Sequence, residues 1–217
     1  MEGARRGSSV IRATYDLLPS PQNLKAWYGE DPTCSLCQEP ASLRHILSGC
    51  TTSLTQGRYT WRHNQVLREL ASILEQKRTT TNNLPQTSAG QVNTNFVSAG
   101  KHQEHYTTPK DTSILQSVRD WKLEVDLDKK LVFPPEIVAT TLRPDMVLWS
   151  PTTKLAYVVE LTVPWEDGVE EAYERKKNKY SDLAAEASQN GWKTNIFPVE
   201  VGCRGFVATS TTGLLRK

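Results

Sequence analysis

The spacing of hydrophobic positions changes several times along this chain, and each change predicts a different element. From Arg58 to about Lys77, Trp61, Val66, Leu67, Leu70, Ile73 and Leu74 recur at helical spacing, with Arg58, Arg62 and Arg68 nearby. Ahead of that helix, Ile11, Ala13, Leu17, Leu18, Leu24, Trp27 and Tyr28 are interrupted by Pro19 and Pro21. The interruption predicts a short helix, a break and a second short helix. Residues 79–113 are mostly Thr, Asn, Ser and Gln, and read as a linker or long loop with Asn95-Phe96-Val97 as its packing candidate.

Past the linker the period drops to two. Trp121, Leu123, Val125 and Leu127 alternate with Lys122, Glu124, Asp126 and Asp128, the pattern of a half-buried strand. A turn at Asp128-Lys129-Lys130 leads into Leu131-Val132-Phe133. Two β-prone runs, Met146 to Trp149 and Leu155 to Val163, then flank Ser150-Pro151-Thr152-Thr153-Lys154 and predict a hairpin. Beyond Pro164 one helix is expected from about Glu166 to Gln189, ended by Gly191. A strand from Ile196 to Val201 and the start of a helix at Leu214-Leu215 complete the pattern. The fold class this predicts is α/β (α+β): a mixed sheet flanked by helices over 114–217, preceded by a small helical segment over 1–78.

Composition narrows the classes of function. Hydrophobic residues make up 37%, so part of the chain is expected to lie outside the packed core. A net charge of +2 neither demands nor excludes nucleic acid, since a local basic face matters more than the total. No apolar run is long enough to predict a membrane span, and Met1 to Gly7 lacks the apolar stretch of a secretory signal. Four cysteines without such a signal point to a reducing compartment, where thiols bind metal or stay free.

Three of those cysteines stand with a histidine inside 17 residues, Cys34-x2-Cys37-x7-His45-x4-Cys50. Three thiolates and an imidazole suit a tetrahedral structural zinc site with no open position for water. The segment has few apolar residues, so metal binding would contribute directly to its folding. Next to it, Arg58-Tyr59-Thr60-Trp61-Arg62-His63 mixes cations with rings able to stack on bases. An amphipathic helix with a solvated basic face explains the same residues equally well.

The hairpin supplies the second candidate. With its turn centred between Thr152 and Thr153, Asp145 falls opposite Glu160. Like charges at directly opposed positions are destabilising, so two carboxylates there suggest a divalent cation, magnesium or manganese. Alternation puts Asp145, Val147 and Trp149 on one face with Val158, Glu160 and Thr162. On the following helix, Val169, Tyr173, Tyr180, Leu183 and Ala187 form an apolar stripe that includes Lys176, and Lys179 lies one turn on. A lysine in such a stripe either snorkels out, pairs with Glu160 or Glu174, or serves the acids by stabilising charge on a phosphate.

Arg143-Pro144-Asp145, fourteen residues, then Glu160 resembles the PD-(D/E)xK nuclease core as used by the restriction-like endonucleases of site-specific non-LTR retrotransposons. Arg62-His63-Asn64, Leu161-Thr162-Val163-Pro164, Lys176-x-x-Lys179-Tyr180 and the upstream Cys-Cys-His-Cys motif also resemble that group, in the same order. Thr162 stands where the general superfamily has its lysine, and in the retrotransposon branch the following helix supplies it, so the resemblance points to Lys176 or Lys179. It implies a magnesium- or manganese-dependent DNA endonuclease, acting in the nucleus, whose nick primes reverse transcription. Asp145, Glu160, Lys176 and Lys179 would be catalytic, and Arg62, His63, Arg68 and Arg143 would contact nucleic acid. DNA is the implied partner, with element RNA as a further candidate and no membrane. A reverse transcriptase would share the full-length polypeptide, since 217 residues without a polymerase carboxylate motif cannot hold one. Two other readings fit the residues: a silent nucleic-acid-binding module on the nuclease scaffold, and an interaction domain stapled by zinc.

Overall fold

The computed structural model describes residues 11–84, 115 and 118–216. Asn95-Phe96-Val97 and most of the Thr/Asn-rich stretch lie outside these residues. Helix α1 (Pro21–Tyr28) follows a helical turn at 11–14, so the expected helix–break–helix pattern is present. Its ends obey local chemistry. Ser20 accepts from the Asn23 N–H at 3.2 Å, proline occupies the first turn, and Gly29 at φ 76° donates its N–H to Lys25 O at 2.9 Å.

A π-helical turn (His45–Gly49) and helix α2 (Thr51–Thr55) lead into the long helix α3 (Arg58–Asn83). Leu67, Leu70 and Leu74 are its buried stripe. Trp61, expected on the same apolar face, instead lies 67% exposed. The helix also runs six residues beyond Lys77, into a sequence of poor helix formers. Tertiary hydrogen bonds explain the extension: Asn82 Nδ2 and Arg78 Nη1 donate to Trp121 O at 2.9 and 3.1 Å, and Trp121 N–H returns to Asn82 Oδ1 at 3.3 Å.

The sheet has four strands in the order β1 (Lys122–Val125), β2 (Met146–Ser150), β3 (Leu155–Thr162), β4 (Lys193–Glu200). The first two pairings are antiparallel and β3–β4 is parallel, so the sheet is mixed. Met146 pairs with Val159 and Ser150 with Leu155, which is the register that opposes Asp145 and Glu160. The turn is fastened by Asp120, whose carboxylate accepts from Ser150 Oγ at 2.6 Å and Thr152 N–H at 2.7 Å.

A 3-10 turn (Glu166–Gly168) opens the crossover from β3 to β4. The single helix expected there is two, α4 (Val169–Lys179) and α5 (Ser181–Gln189), divided at Tyr180 with φ −109° and ψ 8°. Tyr180 is fully buried, and its hydroxyl is tied to Glu160 and Arg143 O. Gly191 then takes φ 79°, and α6 (Thr209–Arg216) follows β4.

Helices cover both faces of the sheet. Leu67, Leu70 and Leu74 of α3 and Leu214 of α6 pack with Met146, Leu148, Tyr157 and Val159. The opposite core joins Val147, Trp149 and Val158 to Tyr180, Leu183 and Ala187. Period-two alternation thus sorts the residues of β2 and β3 between two cores. The segment before the Thr/Asn-rich stretch and the segment after it share the first core. No helix among the described residues is long and apolar enough to cross a membrane.

Candidate metal turn and acid–lysine site

Cys34, Cys37, His45 and Cys50 bring one ligand atom each to within 4.8 Å of one another, positioned to bind a metal such as zinc. Local geometry brings them together. A tight turn closes with Cys34 N–H on Glu39 O (2.7 Å) and Gln38 N–H on Cys34 O (2.9 Å), putting Cys34 and Cys37 on one loop. The π-helical turn carries His45, and Cys50 caps α2. Zinc–sulfur bonds of about 2.3 Å in a tetrahedron put sulfurs about 3.8 Å apart. Cys34 and Cys50 Sγ stand 3.9 Å apart, and Cys37 Sγ is 3.2 Å from His45 Nε2. Ser53, bonding through its hydroxyl and its backbone N–H, holds the Cys50 thiol down to about 6 despite burial, the direction that favours a thiolate ligand. Tyr59 braces the turn from α3: its hydroxyl accepts from Cys50 N–H at 2.9 Å and lies 3.3 and 3.2 Å from His45 O and Ile46 O. Cys203 stands apart from this cluster, and burial pushes its thiol up to about 11.

The acid pair sits where β2 begins and β3 ends. Asp145 Oδ2 accepts from Leu161 N–H at 2.7 Å, and the Asp145 N–H reaches Glu160 Oε2 at 3.3 Å. Glu160 is 3% exposed and almost fully engaged. Its Oε1 takes Lys176 Nζ at 2.6 Å and Lys179 Nζ at 3.1 Å; its Oε2 takes the Tyr180 hydroxyl at 2.7 Å. Burial alone would raise its pKa. The Lys176 ammonium, the Tyr180 hydroxyl and Lys179 overcome that and hold the carboxyl below the ordinary glutamate range. Tyr180 is pushed the other way, mainly by burial and by the Glu160 charge.

His63 joins this site from α3, across the whole Thr/Asn-rich stretch. Its Nε2 lies 3.5 Å from Asp145 Oδ2 and 3.3 Å from Leu161 O, and its Nδ1 is 3.2 Å from Asn64 Oδ1. Asn64 Nδ2 donates to Leu127 O at 3.0 Å, which turns the amide oxygen toward the imidazole. Both ring nitrogens therefore face acceptors. Burial pulls the His63 pKa down, and Asp145, Asn64 and Leu161 more than offset it, so it lies above the ordinary histidine value.

A cleft of about 660 Å³ opens over these groups, lined by Arg62, His63, Lys129, Asp145 and Arg175 among others. Of the residues expected to meet nucleic acid, Arg62 and His63 line it. Arg68 and Arg143 do not, and the Arg143 guanidinium bonds to Lys129 O instead. Lys176 and Lys179 stand behind the lining, on Glu160. Arg175, Lys129 and Tyr180 were not singled out by spacing as functional. Arg175 is exposed on α4 beside the inward-turned Lys176, and only its place in the cleft lining distinguishes it. Arg62 also links the two sites: its Nη2 donates to Leu47 O in the metal turn, and its guanidinium lies 5.3 Å over the Tyr59 ring. No protein-family model and no curated protein sequence matches the chain.

Proposed function

We propose that this chain is a metal-dependent DNA endonuclease domain of the retrotransposon type, with a PD-(D/E)xK-like core and a structural zinc turn. The observation that carries the reading is the opposed Asp145–Glu160 pair, with two lysines on Glu160, beneath a cleft whose walls hold Arg62, Arg175 and Lys129. The sequence resemblance gives the same four residues the same roles.

The acids fit a hard cation unequally. Asp145 lines the cleft, and its Oδ1 has no hydrogen-bond partner among the described residues. Glu160 is reached only if Lys176 or Lys179 releases Oε1. A magnesium or manganese ion, when bound, supplies a Lewis acid for the phosphate and lowers the pKa of a bound water. The chain's own residues do the rest. Arg62, Lys129 and Arg175 hold the phosphate backbone and make binding salt-dependent. A lysine freed from Glu160 stabilises charge growing on the phosphate oxygens. Water oxygen forms a bond to phosphorus as the P–O3′ bond breaks; the water gives up one proton to solvent and the departing O3′ takes one back, so no net proton is gained or lost. The products are a 5′-phosphate and the 3′-hydroxyl that would prime reverse transcription in the nucleus.

Nicking of supercoiled plasmid with magnesium or manganese tests this. Asp145→Asn is expected to lower the rate at least about a hundredfold, the scale of losing one charge-stabilising group. Equal cutting by this variant and the parent, in preparations free of contaminating nuclease, would sink the assignment. One observation favours a second reading. Glu160 is so well satisfied by Lys176, Lys179 and Tyr180 that the site can persist as a self-neutralised scaffold, which makes the domain a silent nucleic-acid binder. A parent protein that binds DNA but never nicks it decides for that reading.

A further inference from the structure

Trp61 is the large aromatic that the core does not use. It lies 67% exposed on the second turn of α3, where helical spacing had predicted a buried position. A lone surface tryptophan needs no explanation in itself, but this one is held in place. With the Gln65 carboxamide turned as its neighbours require, its oxygen accepts from Trp61 Nε1 at 3.2 Å and Arg68 Nη1 at 3.0 Å. The indole is thereby fixed with an arginine beside it and a face toward solvent.

The surroundings favour an anionic, ring-bearing ligand. Trp61, Tyr59, Arg58 and Arg62 line a groove of about 330 Å³ against the metal turn. Tyr59 and Arg62 line the larger cleft as well, so the two cavities meet at these side chains. Arg62 stands between them, its Nη2 on Leu47 O and its guanidinium 5.3 Å over the Tyr59 ring. Helix α3 begins with no side-chain cap and no acidic residue in its first turn. Its first N–H groups and the positive end of its dipole therefore also favour a phosphate.

Resting on the nucleic-acid reading above, we infer that Trp61 is a stacking platform for an unpaired base. A single strand would run from the cleft past Arg62 and Tyr59 onto the indole, with Arg58 and Arg68 on its phosphates. A paired base cannot offer its face this way, so the site selects single-stranded over duplex nucleic acid. Stacking reads no base edge, and DNA and RNA strands are both expected to bind.

The test is fluorescence anisotropy with labelled oligothymidylate, oligouridylate and a short duplex, on the full zinc-loaded chain without magnesium. Trp61→Ala is expected to weaken single-strand binding by roughly tenfold or more and duplex binding by less than about twofold. Trp61→Phe, which keeps a stacking ring, should stay within about threefold of the parent on every probe. Equal losses on single strand and duplex, or no loss on either, would overturn the inference; unchanged zinc content and melting temperature exclude unfolding. An inactive parent that still shows the Trp61 preference would remove the nuclease and leave the stacking site. A parent that nicks plasmid but shows no Trp61 preference would do the reverse.

Discussion

The metal turn and the acid–lysine site solve the same problem, crowded polar groups away from water, in opposite ways. The metal turn gathers Cys34, Cys37, His45 and Cys50 from one short segment and leaves their charge for an ion to balance. At the other site Asp145 ahead of β2, Glu160 on β3, Lys176 and Lys179 on α4 and His63 on α3 balance one another. The difference teaches what each can do. A donor set completed by its ion is closed, so it supports structure. A set neutralised by movable side chains can exchange an internal cation for an external one, which catalysis at Asp145 and Glu160 would require.

Removing the metal should break the first site outright and spare the second. Structural zinc contributes free energy on the order of 10 kcal/mol in small domains, and a turn with so little apolar surface has nothing to replace it. Chelation, or Cys50→Ser, should abolish zinc retention and make 34–50 sensitive to proteolysis. The sheet should stay folded, because α3 is held to it by Leu67, Leu70 and Leu74. Circular dichroism and mass-resolved proteolysis measure the two separately. Loss of the sheet in step with the zinc would show that the two regions form one cooperative unit.

Next in size is the ion pair. Glu160→Gln leaves Lys176 and Lys179 facing a neutral amide, and stranding a buried partner costs about 3–5 kcal/mol. The figure belongs near the low end, since Lys179 is 40% exposed and solvent screens its share. Lys176→Met should cost less, because Lys179 and Tyr180 still hold the carboxylate. The double variant should be more stable than the sum of the singles predicts, with a coupling of about 1–3 kcal/mol in urea unfolding. Strict additivity would mean that the 2.6 Å contact is energetically idle.

Tyr180→Phe removes one bond to the same carboxylate and should cost about 2 kcal/mol, the scale for a buried hydrogen bond to a charged group. An unchanged urea midpoint would instead assign the helix break at Tyr180 to packing.

The two regions were not equally legible in the sequence. Ligand spacing within one turn is local information, and so is hairpin register, because the turn and the alternation of Met146–Trp149 and Leu155–Thr162 pin it. These placed the four metal ligands and opposed Asp145 to Glu160. Lys176 on an apolar stripe was legible too, as a charge that needed a partner. What stayed hidden is tertiary. The break at Tyr180 follows from a hydroxyl reaching Glu160 and Arg143 O, which no helix propensity encodes. The continuation of α3 to Asn83 depends on the backbone of Trp121. Trp61 fits the helical stripe by spacing, yet among the described residues the sheet core covers that stripe only from Val66 onward, and the metal turn at the start of α3 is met by Tyr59 and Arg62 instead.

Glu200 sharpens the comparison with the smallest effect, because it is a buried carboxylate with no salt-bridge partner among the described residues. It lies on β4 two residues from Pro198, the partner position of Glu160. It is 0% exposed; Oε2 accepts from Ser210 Oγ at 2.5 Å, and Oε1 has no partner among the described residues. Burial, with Glu170 adding to it, raises its pKa against the pull of Ser210 and Lys176, whereas Glu160 is held low. The linkage signs are therefore opposite. A carboxyl raised in the native state is protonated there after the unfolded chain has ionised, so it costs stability as pH climbs from the ordinary value near 4.5 through the native one. Glu160, held low, contributes stability above that ordinary value and loses it as pH falls through its native pKa. Glu200→Gln keeps the shape and the Ser210 bond but cannot ionise. It should raise the melting temperature at neutral pH, match the parent in acid, and flatten the profile between. A variant less stable than its parent at neutral pH would mean that Glu200 is ionised and paired, and that both buried glutamates are served by the lysines of α4.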